Sequence, residues 1–170
     1  IGVPLSEVRS IVHGTTATTN AMLERKVSKA GLITTEGFRD VLEMRRRDRP
    51  TTWGLWGSYR PVVTRDLSIE VDERMLADGS VRTPVDVDEV TRAALALLER
   101  GCEAVGIVFI NAYANAANEL KALEAVRAVW PNDYLNASSL ILPEIREFER
   151  ASTTALNVCL QPIVGAYLEG

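Results

Sequence analysis

The chain has 170 residues, of which 46% are apolar and 25% charged, with a formal charge of −4 and an isoelectric point near 5.1. That length suffices for one cored domain, and the acidity argues against the broad basic face that nucleic acid demands. No apolar run approaches the roughly 20 residues of a membrane span and no leader pattern opens the chain, so a soluble cytoplasmic protein is expected, with neither nucleic acid nor membrane as partner.

Cys102 and Cys159 lie far apart in apolar surroundings. With no CxxC pair and a single histidine, ligands for a structural zinc site are lacking, so both cysteines read as buried thiols and no metal site is expected within the chain. Ile1-Gly2-Val3-Pro4 runs straight into what reads as the tail of a helix over 5–10. The chain is thus expected to be entered in mid-fold, as a piece of a longer polypeptide.

The stretch Ile11-Val12-His13-Gly14-Thr15-Thr16-Ala17-Thr18-Thr19-Asn20 reads as strand, then polar corner, with a helix taking over in Ala21-Met22-Leu23-Glu24-Arg25-Lys26. Such a corner gathers hydroxyls, a glycine backbone and the unpaired N–H groups of a helix start, a combination that favours anions and phosphate above all. His13, the sole histidine, stands in it, and imidazole titrates nearest to neutrality. The same residues also fit a purely structural part. Thr18 or Thr19 as a helix cap would contribute about 1 kcal/mol, and Gly14 would serve a tight turn. The motif by itself leaves both readings open.

Residues 30–35 read as a short buried strand ending in a second polar corner, Thr34-Thr35-Glu36-Gly37, after which Phe38-Arg39-Asp40-Val41-Leu42 resumes a helical pattern. Strand, threonine corner and helix repeated within about 30 residues is the parallel βαβ arrangement, in which ligands collect at the carboxyl ends of the strands. Both corners are therefore expected at one edge of one sheet. From 43 to 65 periodicity dissolves: Arg45, Arg46, Arg47 and Arg49 precede Pro50, and Trp53, Trp56 and Tyr59 follow among glycines. Stretches of this kind are functional or mobile. The arginines suit a bidentate clamp on carboxylate or phosphate, or else form a solvated run.

Residues 67–74 alternate Leu67, Ile69 and Val71 with polar neighbours, the pattern of a half-exposed strand. A turn at 77–80 and Val81-Arg82-Thr83 complete a hairpin. Residues 43–85 thus read as an irregular and hairpin insertion on a parallel framework. Asp86 with Glu89 forms a capping-box pattern opening a helix whose inner face is Val90, Ala94, Leu97 and Leu98, with Gly101 as its stop. Residues 104–110 are apolar on both faces, as in the middle of a covered sheet, and lead to polar Asn111, Tyr113 and Asn115. A helix over 116–130 is expected to turn Leu120, Leu123, Val126 and Trp130 inward. A short strand follows over 134–137, and then a long helical segment from Pro143 toward Tyr167, bent at Pro162. Its alternating Glu and Arg read as surface pairing, whereas Ser152, Thr153 and Asn157 face a neighbour or a ligand.

No Walker loop, GxGxxG or GxSxG is present. Taken together, HGTTATTNAMLERK, LITTEGFRDVLE, RDRP, RPVVTR, EVDERMLADG, EAVGIVFINAYANAANE and LPEIREFERASTTALN resemble, in order, the amino-terminal region of the A subunit of hydantoinase/5-oxoprolinase enzymes, N-methylhydantoinase A being the nearest type and ketone carboxylase subunits relatives. The resemblance implies an α/β fold with a parallel-rich sheet, helices on both faces and a small antiparallel insertion, part of an actin-like, Hsp70 and sugar-kinase ATPase fold. It makes the 170 residues a partial amino-terminal domain of an A-type subunit. It implies ATP and magnesium as cofactors, phosphorylation of a cyclic amide's oxygen, and a B-type hydantoinase subunit as partner in a hetero- or homo-oligomer. Positions matching the family's motifs give His13, Thr15 and Thr16 a catalytic part, and Gly14, Thr19, Asn20, Arg46 and Arg49 a part in binding substrate or phosphate. The alternatives are a non-catalytic contact module docking through 53–59, or a piece of an ATP-dependent ketone carboxylase. The family's Asp-Gly-Gly-Thr hairpin and its adenosine-binding half have no counterpart here. Asn111-Ala112-Tyr113-Ala114-Asn115-Ala116 stands where relatives carry His-Ser-Tyr-Ala-Asn-Pro, so a histidine role there is lost. The isolated chain is expected to be inactive.

Overall fold

The computed structural model of the chain describes residues 15–46 and 60–169. Helix α1 (Ala17–Leu23) leads to β1 (Ala30–Thr35), all of whose residues are buried. After the single turn α2 (Val41–Met44), a 3₁₀ turn over Arg65–Leu67 introduces β2 (Ser68–Val71). A hairpin of β3 (Arg74–Met75) and β4 (Val81–Thr83) precedes α3 (Val87–Glu99) and β5 (Ala104–Val108). The remaining elements are α4 (Ala117–Arg127), β6 (Leu135–Ala137), α5 (Ser138–Ile141) and α6 (Glu147–Glu169).

The main sheet runs β2-β1-β5-β6 with every pair parallel, and β3 with β4 forms a separate antiparallel pair. β5 is interior and wholly buried, as its two-sided apolar composition requires. Two glycines show where the helices lie. A Cβ on Gly31 would meet Leu97 Cδ2 of α3 at 2.5 Å, and one on Gly106 would meet Leu32 Cδ2 at 2.7 Å and Thr154 Cγ2 of α6 at 3.0 Å. Gly106 pairs with Leu32, the residue after Gly31. Successive strand residues face opposite ways, so α3 and α6 cover opposite faces.

α3 begins as its sequence dictates, with Asp86 Oδ1 accepting from Asp88 N at 2.9 Å. It buries Val90, Ala93, Ala94 and Leu97, of which Val90 and Leu97 contribute about 1.5–3 kcal/mol each. Glu89 does not close the box; its Oε2 accepts instead from Asp72 N at 3.0 Å, stitching α3 to the end of β2.

Several local expectations shift. The strand expected over 67–74 is divided: Ser68–Val71 is the parallel edge strand β2, and only Arg74–Met75 enters the hairpin. α1 starts at Ala17 and takes in Thr18 and Thr19, which were to precede it. Leu120 is exposed, while Asn118 and Glu119 point inward from α4. Arg150, expected on a charged surface, is completely buried. α6 continues through Pro162. The strand expected at 11–12 and the helix tail expected over 5–10 lie outside the described residues.

Candidate functional site at the carboxyl edge of the sheet

Because β1, β2, β5 and β6 are parallel, their carboxyl ends share one edge, where sheets of this kind collect ligands. A buried polar network runs along it. Thr35 Oγ1 donates to Glu73 Oε1 and accepts from Ile110 N at 2.9 Å. Asn118 Nδ2 donates to Glu73 Oε2 at 2.7 Å and to the Thr83 carbonyl at 3.1 Å. Glu119 Oε1 accepts from Phe109 N at 2.7 Å and from Ser138 Oγ at 2.6 Å, and its Oε2 accepts from Ser139 N at 2.8 Å. Arg150 Nη2 donates to the Phe109 carbonyl at 2.6 Å, and its Nη1 to the Glu144 carbonyl at 2.9 Å. All four strand ends are thereby tied together.

Charges inside this network are held at a cost that their partners offset. Burial pushes the Glu73 carboxyl above the usual range and Glu119 adds to the push, while hydrogen bonds from Thr35 and Asn118 and the Arg74 charge oppose it. Burial lowers the pKa of the Arg150 guanidinium, against the pull of Glu119 and Glu147; a guanidinium stays charged at neutral pH regardless. Burial also lifts both thiols, that of Cys159 to about 12. These are the inert thiols their apolar neighbours suggest.

The second threonine corner does lie at this edge, but it does not hold its hydroxyls open. Thr34 is buried and Thr35 is used by the network. Even the corner's amides are engaged: Glu70 Oε1 accepts from Gly37 N at 2.9 Å and from Arg39 N at 3.3 Å, so a carboxylate of the protein takes the place of an external anion. Arg74 stacks over the Phe38 ring at 5.1 Å. A void beneath α2 and α6, walled by Leu32, Leu42, Val108 and Ala151, measures about 20 Å³. That is room for one water and no larger ligand.

Of the residues singled out in the sequence, His13, Gly14 and Arg49 lie outside the described residues, as does the 53–59 loop. Thr15 and Thr16 are exposed just ahead of α1, where Thr15 Oγ1 accepts from Ala17 N at 3.1 Å and Thr16 makes no side-chain cap. Thr19 and Asn20 are exposed along α1 itself, so neither Thr18 nor Thr19 is the helix cap. Arg46 forms an ion pair with Glu149 of α6. α1 packs on α6, and Met22, Leu42, Val62, Ser152, Ala155 and Leu156 line one groove between them. Thr15 to Asn20 and Arg46 thus lie on or beside elements that both rest on α6. Glu73, Glu119 and Arg150 were missed. Glu119 carried a signal, since it stands four and seven positions before the buried Leu123 and Val126, on the inner stripe of α4.

The architecture is an α/β ATPase-like fold. The hydantoinase/oxoprolinase N-terminal region model matches residues 2–130, and the chain belongs to that family. An uncharacterised protein of Methanocaldococcus jannaschii is 34% identical over 171 residues, covering 98% of this chain and 25% of the relative. The caprolactamase subunit alpha of Pseudomonas jessenii is 33% identical, covering 93% of this chain and 23% of that one. The crystal structure of the ATP-dependent caprolactamase from the same organism superposes with a TM-score of 0.82 at 32% identity, over 93% of this chain and 23% of its own. Nucleotide-free acetone carboxylase gives 0.75 at 25% identity, over 90% of this chain and 24% of its own. The chain therefore spans about a quarter of the length of the relatives it matches.

Proposed function

We propose that these residues form part of the amino-terminal domain of an A-type subunit in an ATP-dependent enzyme that hydrolyses a cyclic amide. The observation that carries this is the match to the ATP-dependent caprolactamase, in sequence and in backbone, through nearly the whole chain. Bound ATP would supply a phosphoryl group to the amide oxygen and leave as ADP, which makes the amide carbon electrophilic. Water would add to that carbon, the C–N bond would break with the proton going to the ring nitrogen, and the acyl phosphate so formed would be hydrolysed by a second water to carboxylate and phosphate. His13, Thr15 and Thr16, with Gly14, Thr19 and Asn20, hold substrate or phosphate, and Arg46 and Arg49 offset developing negative charge. The described residues offer exposed hydroxyls toward this task. They contain no group of three acidic, histidine or cysteine side chains able to hold a metal. Magnesium, which keeps most of its waters and binds chiefly through phosphate oxygens, is assigned to the nucleotide, and no step is routed through it.

A B-type subunit is the proposed partner, in a cytoplasmic hetero-oligomer; among the described residues no helix is long and apolar enough to cross a membrane. The likeness to acetone carboxylase keeps ATP-dependent ketone carboxylation as the second reading, at lower identity. The test is nucleotide turnover by the complete subunit with its partner, against hydantoins, 5-oxoproline, lactams and small ketones with bicarbonate. ADP release matched by ring-opened product is expected. ADP release that answers only to ketone and bicarbonate overturns the hydrolase in favour of the carboxylase.

A further inference from the structure

Two successive peptide groups, on either side of Phe109, are held by three side chains from three different elements. Phe109 N donates to Glu119 of α4, the Phe109 carbonyl accepts from Arg150 of α6, and Ile110 N donates to Thr35 at the end of β1. All three side chains are completely buried. Satisfying a strand end needs no buried charges: water does so at an open edge, and well-packed apolar residues are often as stable as buried ions or more so. The chain beyond the clamp is also constrained. Asn111 sits at φ +55°, a left-handed conformation that a non-glycine residue keeps only where its surroundings impose it. Asn111 Nδ2 donates to the Met75 carbonyl and Asn115 Nδ2 to the Gly79 carbonyl, each at 2.9 Å, fixing the turn against the β3–β4 hairpin.

The turn 111–115 leaves the central strand at the ligand-collecting edge with its backbone fixed on both sides. Its residues are Asn111, Ala112, Tyr113, Ala114 and Asn115, with no cation and no serine or threonine hydroxyl to receive phosphate. Both Nδ2 groups are spent on the hairpin, and Asn115 Oδ1 on the next helix, where it accepts from Ala117 N at 2.9 Å. What remains suits a small uncharged ring.

We propose that Thr35, Glu119 and Arg150 are positioning residues that set the 111–115 turn as a preformed wall of the cyclic-amide site, an inference that rests on the amide-hydrolase reading. The test uses the full-length subunit with its partner and compares Thr35→Val, which keeps shape but loses the hydroxyl, with Thr35→Ser, which keeps the hydroxyl. Thr35→Val, which removes the bonds to Glu73 and from Ile110 N, is expected to raise KM for the amide roughly tenfold, the scale of the lost bond to the turn's own backbone, with KM for ATP unchanged. It is also expected to speed amide hydrogen exchange across 110–115 while leaving β6 and α4 protected. Thr35→Ser restores both. Should Thr35→Val fail to fold, Ser138→Ala, which removes one bond to Glu119, gives a smaller rise in the same KM. Lower thermal stability with both KM values unmoved overturns the proposal, as do equal shifts in both KM values or failure of serine to rescue. If the wild-type enzyme opens no cyclic amide, the functional reading has failed and this inference falls with it; wild-type turnover with an unmoved amide KM rejects the inference alone.

Discussion

Arg150 reaches from α6 to the end of β5 and donates from Nη2 to the Phe109 carbonyl at 2.6 Å, with no part of its side chain open to solvent. Its Nη1 serves the Glu144 carbonyl on the approach to α6, so one guanidinium fixes the start of that helix against the central strand. Glu119, which accepts from the N–H of the same residue, supplies the nearby negative charge that keeps the cation tolerable.

Replacing Arg150 by Met fills similar space and removes both donors. Two carbonyls lose their partner and Glu119 keeps an uncompensated charge. The unfolding free energy is expected to fall by about 3 kcal/mol or more, read from urea transitions of wild type and variant. A loss below about 1 kcal/mol would mean that water replaces the guanidinium without penalty, and that the clamp is not structural.

The sheet was legible in the residues because strands and helices announce themselves by period. Residues 104–108 carry no polar side chain and so had to be interior, and Asp86 marked the start of α3 by the hydroxyl-free cap it makes. What period alone hides is polarity placed inside on purpose. On α4 both Glu119 and Leu120 stand at helical spacing from Leu123 and Val126, and apolar preference selects Leu120, which is the exposed one. The same holds on α6, where Arg150 shares its buried face with Thr154 and Val158 while its neighbours Glu147 and Glu149 remain partly open. Strand pairing was hidden for another reason. Residues 68–71 and 74–75 read as one alternating segment, and only contact with β1, distant in sequence, separates them into two sheets. That the amides of the polar corner at 34–37 are already taken could not be read locally, because their partner, Glu70, comes from β2.

Glu73 offers a pH signature. Its folded pKa is raised above that of a free glutamate, about 4.3, chiefly by burial and further by Glu119. Below about pH 4.3 both folded and unfolded forms hold the proton and the group's contribution is fully present. Above it the unfolded chain releases the proton first, so this contribution is lost as pH rises through the folded pKa. Glu73→Gln cannot titrate. The stability of wild type minus that of Glu73→Gln is therefore expected to fall as pH rises from about 4.3 through the raised folded pKa and then level off. Urea midpoints at a series of pH values give this difference directly, and a difference that grows with pH would show Glu73 to be stabilised as the anion.

Arg46 separates structural from chemical use of a predicted site residue. Its guanidinium pairs with Glu149, and about half of its side chain stays in solvent. Burial works against the charged Glu149, but its backbone bond and the hydrogen bond and charge of Arg46 prevail and hold that carboxyl below the usual range. Exposed pairs of this type stabilise little, so Arg46→Ala is expected to leave the melting temperature nearly unchanged. If Arg46 acts on phosphate or substrate in the full-length enzyme, Arg46→Ala lowers kcat/KM by tenfold or more, the scale of one charge-assisted hydrogen bond, whereas Glu149→Gln, which frees the guanidinium, does not. Equal losses in the two variants would assign Arg46 to the ion pair alone, because removing either partner then removes the same interaction.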